Sequence, residues 1–148
     1  MLVEELMNIL SQRNEINDKI ASGYIIKCIS NKYNYNQIYK LAFRLSHMKG
    51  DLELKTDDDN IKASLFWIAV FINDISLVKL LLDRGGDDND FINKRGTFKE
   101  KNLINVTPLY VACSNSDNFD IIMTLLNNGA NVNITSSNEG STPLMDDE

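Results

Sequence analysis

The chain has 148 residues, of which 43% are hydrophobic and 24% charged, as in an ordinary soluble globular domain. Its formal net charge at pH 7 is −6. An acidic chain lacks the clustered Lys and Arg that nucleic-acid phosphates or an anionic membrane surface require, so neither is expected as a partner.

Targeting and redox features agree with this class. Residues 1–10 contain two glutamates and no basic segment, so they do not predict a secretory signal. The longest apolar run, residues 64–72, is far too short to span a bilayer. Cys28 and Cys113 lack metal-ligand spacing, and we expect both thiols to be reduced and buried. These features predict a cytoplasmic protein.

The first third of the chain predicts helices without a strong motif. Apolar residues at helical spacing indicate an opening helix that ends near Gln12. Further helices are expected over residues 14–21, 22–29 and 35–45, with a polar break at residues 31–36. Gly50 and Asp51 then predict a loop.

Residues 64–87 predict a pair of helices. The first begins Ser-Leu-Phe-Trp-Ile-Ala at Ser64, and Asn73 or Asp74 can cap the second. Gly85-Gly86-Asp87 closes the pair. The second helix is apolar nearly all round, as expected for a helix packed between neighbours, at Ile75, Leu77, Val78, Leu80, Leu81 and Leu82.

The same layout returns with a sharper motif over residues 107–133. Thr107 can cap a helix whose first residue is Pro108, where the missing N–H costs nothing. Asp117 or Asn118 can cap a second helix that ends before Gly129, a position that favours a left-handed residue. The apolar side chains of this second helix are Ile121, Ile122, Leu125 and Leu126.

This segment resembles an ankyrin repeat, with Thr-Pro-Leu-Tyr at residues 107–110 for the family's Thr-Pro-Leu-His and Gly-Ala-Asn-Val-Asn at 129–133 for its loop. Residues 64–87 match the same pattern in register, without the Pro and with Trp67 in place of His. The resemblance covers residues 64–144 and implies a solenoid of stacked helix pairs. The predicted fold is therefore an all-α ankyrin-repeat solenoid, in which residues 1–55 are a helical cap or a degenerate repeat.

The predicted organisation is one domain, residues 1–148, with repeats at 60–93 and 103–135 and an incomplete repeat at 138–148. Ser64 and Thr107 are 43 residues apart, against a family period of about 33. The surplus lies between Asp90 and Val106, where we expect a long loop. Gly140-Ser-Thr-Pro-Leu opens the last repeat, and the sequence looks cut off within it. The outer side of the preceding helix is expected to be uncovered.

No arrangement of residues predicts catalysis. His47 is the only histidine, and no Ser or Cys is placed by spacing as a nucleophile. Acidic clusters at residues 57–59, 87–90 and 146–148 lack the alternating oxygens, central Gly and distal Glu of a calcium loop. The glycines form no phosphate-binding pattern. We predict a chain that is not an enzyme and has no cofactor and no metal.

The resemblance implies protein binding through loop tips and the exposed inner face of the short helix. Carried over by register, the candidate contacts are Phe71, Ile72, Ser114 and Asn115, with Arg84 and Asn128 just before the loop glycines. Phe71 and Ile72 would form an apolar spot on the concave side, or else pack beneath the N-terminal helices or the insertion. The insertion is locally basic, and its candidate contacts are Arg95, Phe98 and Lys99.

Three functions are consistent with these residues. The first is a non-catalytic protein-interaction module. Its composition, rich in Asn, Ile, Lys and Asp, resembles ankyrin proteins of AT-rich genomes such as poxviruses, which would make it a host-directed factor in the host cytoplasm. The second is an acidic scaffold that blocks a basic protein partner. The third is a remnant of a longer ankyrin protein. The identity of the partner and the oligomeric state do not follow from the sequence.

Overall fold

The computed structural model describes residues 18–115 and 118–132. The predicted opening helix, the incomplete repeat at 138–148 and the possible cap Asp117 lie outside these residues. By compactness the chain divides into two units, Met1–Met48 and Lys49–Glu148. The organisation as one domain stays a prediction.

Two helices make up the described part of the first unit, α1 (Asp18–Ile29) and α2 (Tyr35–Arg44), with a 3-10 turn at Lys32–Asn34 between them. The predicted break between residues 21 and 22 is wrong, because α1 runs through it and through Gly23. A glycine inside a helix costs about 1 kcal/mol relative to alanine. α1 offsets this cost by burying side chains on one face, namely Ala21, Ile25, Cys28 and Ile29.

The second unit alternates β-hairpins with pairs of helices. The first hairpin and pair are β1 (Glu53–Lys55), β2 (Ile61–Ser64), α3 (Leu65–Phe71) and α4 (Ile75–Arg84). A 3-10 turn at Phe91–Asn93 follows. The second set is β3 (Gly96–Phe98), β4 (Leu103–Val106), α5 (Pro108–Cys113) and α6 (Phe119–Asn127), with a 3-10 turn at Lys99–Lys101 inside the hairpin.

The four strands form one antiparallel sheet in the order β1-β2-β3-β4. The prediction of an all-α fold is corrected by this sheet, and the segment expected to be a long loop contains the β3–β4 hairpin. Each strand has only three or four residues. Alternation of buried and exposed positions is hard to recognise in a sequence over so few residues. Between them, β1 and β2 bury Leu54 and Ile61 and expose Lys55 and Lys62.

Side-chain caps begin three of the helices where the sequence predicts them. Ser64, Asp74 and Thr107 each accept a hydrogen bond from the backbone N–H three residues on, at 3.1, 3.1 and 3.2 Å. Pro108 is the first residue of α5. Gly129 has a φ of 96°, which glycine adopts without strain. The predicted starts of α3, α4 and α5 and the glycine after α6 are confirmed.

The start of α6 differs from its prediction. Asn118 occupies the N-cap position without a side-chain capping bond, and its Nδ2 donates to the Ala112 carbonyl at 3.4 Å.

Ile121 and Leu125 of α6 are buried. The expectation that the outer side of this helix is uncovered is therefore wrong for these two residues. They belong to a helix that contacts both α4 and α5. The exposed apolar side chains of α6 are Phe119 and Met123.

Loops of successive repeats are tied to each other by side chains. Asp51 accepts a hydrogen bond at 2.9 Å from the backbone N–H of Asp88, which is 37 residues further on. Asn93 accepts one at 2.9 Å from the N–H of Asn131, which is 38 residues further on. Lys49 adds an ion pair to Asp87 at 2.9 Å. The same kind of link therefore recurs at nearly the same spacing.

The turns of the two hairpins are also joined. Lys99 N–H donates to the Asn60 carbonyl at 2.8 Å, and Glu100 N–H donates to the Asn60 side chain at 2.9 Å. Asn60 is fixed in turn because its own N–H donates to Asp58 at 3.0 Å. Hydrogen bonds from Thr56 and from the Asn60 backbone hold the pKa of Asp58 below its ordinary value of 3.8. Asp58 therefore stabilises the turn in its ionised form.

The core of the second unit centres on α3. Six of its seven side chains are buried, and Trp67 is fully so. Trp67 Nε1 donates a hydrogen bond to the Val106 carbonyl at 2.9 Å, which links α3 to β4.

Among the described residues, no helix has both the length and the apolarity to cross a membrane.

Replacing Gly96 by alanine tests the contact between the sheet and α3. A Cβ at this position would lie 2.8 Å from both the Ala63 Cβ and the Trp67 ring, closer than real Cβ contacts. We expect Gly96→Ala to lower the free energy of unfolding by about 1–3 kcal/mol because of this overpacking. The urea midpoint, followed by the fluorescence of the single Trp, measures the change.

Gly23→Ala is the matched control. Nothing lies within 4 Å of a Cβ at Gly23, which is inside α1. Alanine there is expected to raise stability by about 0.5–1 kcal/mol, followed by circular dichroism. A Gly96→Ala variant as stable as the parent would contradict the packing described for the sheet.

Asp58→Asn tests the charged turn through its pH dependence. Because the pKa of Asp58 is lower in the folded state, its contribution to stability is present above pH 3.8 and is lost as pH falls through the folded value. The variant should have a lower urea midpoint than the parent near pH 6, and the difference should shrink as pH falls below 3.8. Asp57→Asn, in the same exposed turn, is the control. A difference that stays constant over this range would show that the charge is not involved.

Candidate functional site

Three aromatic rings fill the angle between α3 and the second hairpin. Phe71 stacks on Trp67 with ring centroids 5.9 Å apart and 12° between planes. The Phe71 ring also lies 5.1 Å from that of Phe98 in β3. Phe98 is 3% exposed and Ile72 is 8% exposed, whereas Phe71 is half-buried. Ile72 is therefore not presented to solvent, and the insertion, which folds back through Phe98, covers Phe71 only in part.

The outer face of the sheet is polar and largely basic. Lys55 pairs with Lys62 across β1 and β2, and Lys62 pairs with Thr97 across β2 and β3. These three side chains therefore stand in a row on the side of the sheet away from Trp67. Lys55 has an ion pair with Asp59 at 3.6 Å, both side chains being about half exposed.

A groove of about 370 Å³ lies on this face. We call it the basic groove, and its polar lining residues are Glu53, Lys62, Lys94, Arg95, Thr97 and Asn105. Arg95 Nη1 donates to the Asn105 carbonyl at 2.8 Å, and Asn105 N–H donates to Thr97 Oγ1 at 2.9 Å. The groove thus has three cations and one carboxylate, and Arg95 is held in place by the backbone of β4.

The sequence identified only part of the basic groove. Arg95 was predicted as a contact because it lies in a contiguous basic segment of the insertion. Lys62 and Glu53 were missed, since they come from the first hairpin and meet Arg95 only when β2 pairs with β3. The available signal was the polar residue at every second position of residues 53–55 and 61–63.

The other predicted contacts lie at the ends of helices or in a hairpin turn. Ser114 and Asn115 are exposed after α5, and Ser114 Oγ donates to the Val111 carbonyl at 2.7 Å. Lys99 is exposed in the β3–β4 turn, and Arg84 is half-buried at the end of α4. None of these four lines the basic groove.

Asn128 belongs to a second concavity, of about 500 Å³, between α4 and α6. Its Nδ2 donates to the Thr124 carbonyl at 2.7 Å, so the side chain is turned back onto its own helix. Lys79 and Asp83 line the α4 side. This concavity carries one charge of each sign and shows no electrostatic preference for a ligand.

Groups able to do chemistry are placed elsewhere. His47 Nε2 lies 3.3 Å from Asp18 Oδ1 in the first unit, and both side chains are more than half exposed, as in a surface ion pair. Cys28 and Cys113 are buried and form no disulfide, and burial raises the pKa of the Cys28 thiol, which lowers its reactivity. Within residues 18–115 and 118–132, no group of three or more His, Cys, Asp or Glu could hold a metal ion.

Comparison with known protein families gives a match. The family model for ankyrin repeats, in three copies, matches residues 65–146. No curated protein matches the chain. The family match covers more than half of the 148 residues and includes both helix pairs of the second unit. The chain belongs to the ankyrin-repeat family.

Proposed function

We propose that this chain is a non-catalytic module that binds a protein partner. Ankyrin repeats are generally protein–protein interaction modules, and the match over residues 65–146 is the observation that carries the proposal. The described part of the second unit supports it, since buried helices hold exposed polar side chains in fixed positions.

The contact surface of this proposal consists of exposed and half-exposed side chains. It comprises Phe71, Arg84, Arg95, Lys99, Ser114, Asn115 and Asn128, which are all accessible at least in part. Ile72 and Phe98 are buried, so their proposed role is to support Phe71 and the hairpin from beneath. Replacing either by a charged residue would disturb the fold and would not report on binding.

The proposed setting is the cytoplasm, that of a host cell if the source is viral. Two buried cysteines that form no disulfide suit a reducing compartment. A host-directed role is supported by the composition, which is similar to that of ankyrin proteins from AT-rich genomes.

The second candidate function is an acidic scaffold that blocks a basic protein. Two exposed acidic turns favour it, one at Asp57, Asp58 and Asp59 and the other at Asp87, Asp88 and Asp90. With the net charge of −6, these turns would attract a basic surface and speed its encounter.

Cross-linked capture with the tagged chain as bait, followed by reconstitution with the purified partner, tests the proposal. We expect a 1:1 complex in calorimetry. Ser114→Arg/Asn115→Arg should weaken it by at least about tenfold, since two bulky charges would enter the interface. The control Ser76→Arg/Asn36→Arg introduces the same residues at exposed positions of α4 and α2, and should change the affinity by less than about twofold.

A further variant in the same binding experiment distinguishes the two proposed functions. Asp57→Lys/Asn89→Lys should leave a contact at the helix ends unchanged but should abolish binding to a basic partner. Circular dichroism of every variant confirms equal helix content. Retention of no protein by the parent chain would overturn both proposals.

A further inference from the structure

We propose that the basic groove binds an acidic segment of the protein partner, an inference that rests on the proposed function and names the chemistry of one contact. Three cations, Lys62, Lys94 and Arg95, face one carboxylate, Glu53. This local excess of positive charge occurs on a chain whose formal net charge is −6. A short anionic ligand therefore complements the charge of the groove.

The two lysines of the groove are available to such a ligand. Both Lys62 and Lys94 are exposed, and in the part of the chain that the structure describes neither takes part in an ion pair. Two other lysines of the same unit are already paired, Lys49 with Asp87 at 2.9 Å and Lys55 with Asp59 at 3.6 Å. Glu53 thus offsets only part of the positive charge of the groove.

The Arg95 side chain is preorganised to bind a carboxylate. Its bond to the Asn105 carbonyl, 2.8 Å long, uses one of the five N–H donors of the guanidinium and fixes the orientation of the plane. A planar guanidinium can hold a carboxylate through two parallel hydrogen bonds. Asn105 is itself held by Thr97, through a bond of 2.9 Å, so less entropy is lost when the ligand binds.

The dimensions of the groove suit a short peptide segment. Its lining residues come from, or lie next to, all four strands, which together span about 14 Å, the length of about four extended residues. Its volume of about 370 Å³ lies in the range of ligand sites. A longer polyanion such as a nucleic acid would also meet the acidic turn at Asp57, Asp58 and Asp59, which would repel it.

Direct binding of a labelled peptide to the full chain tests the inference. The probe is fluorescein-labelled hexaglutamate, followed by fluorescence anisotropy, with hexaglutamine as the neutral comparison. We expect hexaglutamate to bind, hexaglutamine not to bind measurably, and the affinity to fall when salt is raised from about 50 to about 300 mM. Lys62→Glu/Lys94→Glu should lower the affinity for hexaglutamate by at least about tenfold, because two attractions become repulsions.

Lys79→Glu/Lys101→Glu is the matched control. It changes the net charge by the same amount at two exposed lysines, in α4 and in the β3–β4 turn, that lie outside the groove, so the affinity should fall by less than about twofold. An equal loss in both variants would overturn the inference in favour of an unspecific charge effect. Where Lys62→Glu/Lys94→Glu loses helix content, Lys62→Gln/Lys94→Gln replaces it, with a loss of at least about threefold expected.

Three further outcomes are decisive. Binding of a hexathymidylate oligonucleotide more tightly than hexaglutamate would overturn the inference and indicate a nucleic-acid site. Absence of hexaglutamate binding, with partner capture intact, would remove the acidic-segment inference and leave the interaction module standing. Specific hexaglutamate binding in the absence of any captured partner would uphold the chemistry of the groove and remove the proposed function.

Discussion

The indole of Trp67 is the point at which the helices and the sheet of the second unit meet. A fully buried indole N–H needs an acceptor, and the Val106 carbonyl provides it at 2.9 Å. The ring lies so close to β3 that only glycine fits at residue 96. Phe71 stacks on this ring, and Phe98 packs against Phe71. The position of the second hairpin, and hence of the side chains that it contributes to the basic groove, depends on this indole.

The sequence predicted what is determined locally and missed what depends on distant pairing. Caps at Asp74 and Thr107 were recognisable because the donor is three residues from the acceptor. The sheet was missed because its strands are short and their partners lie in another hairpin. Phe98 was placed at the surface by analogy with an exposed loop, yet it packs on Phe71. The insertion between Asp90 and Val106 therefore contributes side chains to the core as well as to the surface.

Charge is segregated on this chain. Acidic side chains occupy the exposed turns, whereas the cations of the basic groove lie on the outer face of the sheet. At a distance greater than the Debye length of about 8 Å, screening removes most of the influence of either region. Close to the surface, the two regions present opposite preferences to an approaching protein. A partner with a mixed charge pattern would thus be oriented before it makes contact.

The pairing of β2 with β3 has a consequence for how this chain can change over evolutionary time. Repeat arrays gain or lose whole repeats easily, because each repeat contacts its neighbours through similar helix faces. Here neighbouring repeats also share a sheet, with Lys62 opposite Thr97 and Ile61 opposite Phe98. Removing one repeat would leave a hydrophobic strand edge without its partner, and such edges promote aggregation. The two repeats that share the sheet are therefore coupled by strand pairing as well as by helix stacking, so deletion of either one would disrupt the sheet of the other.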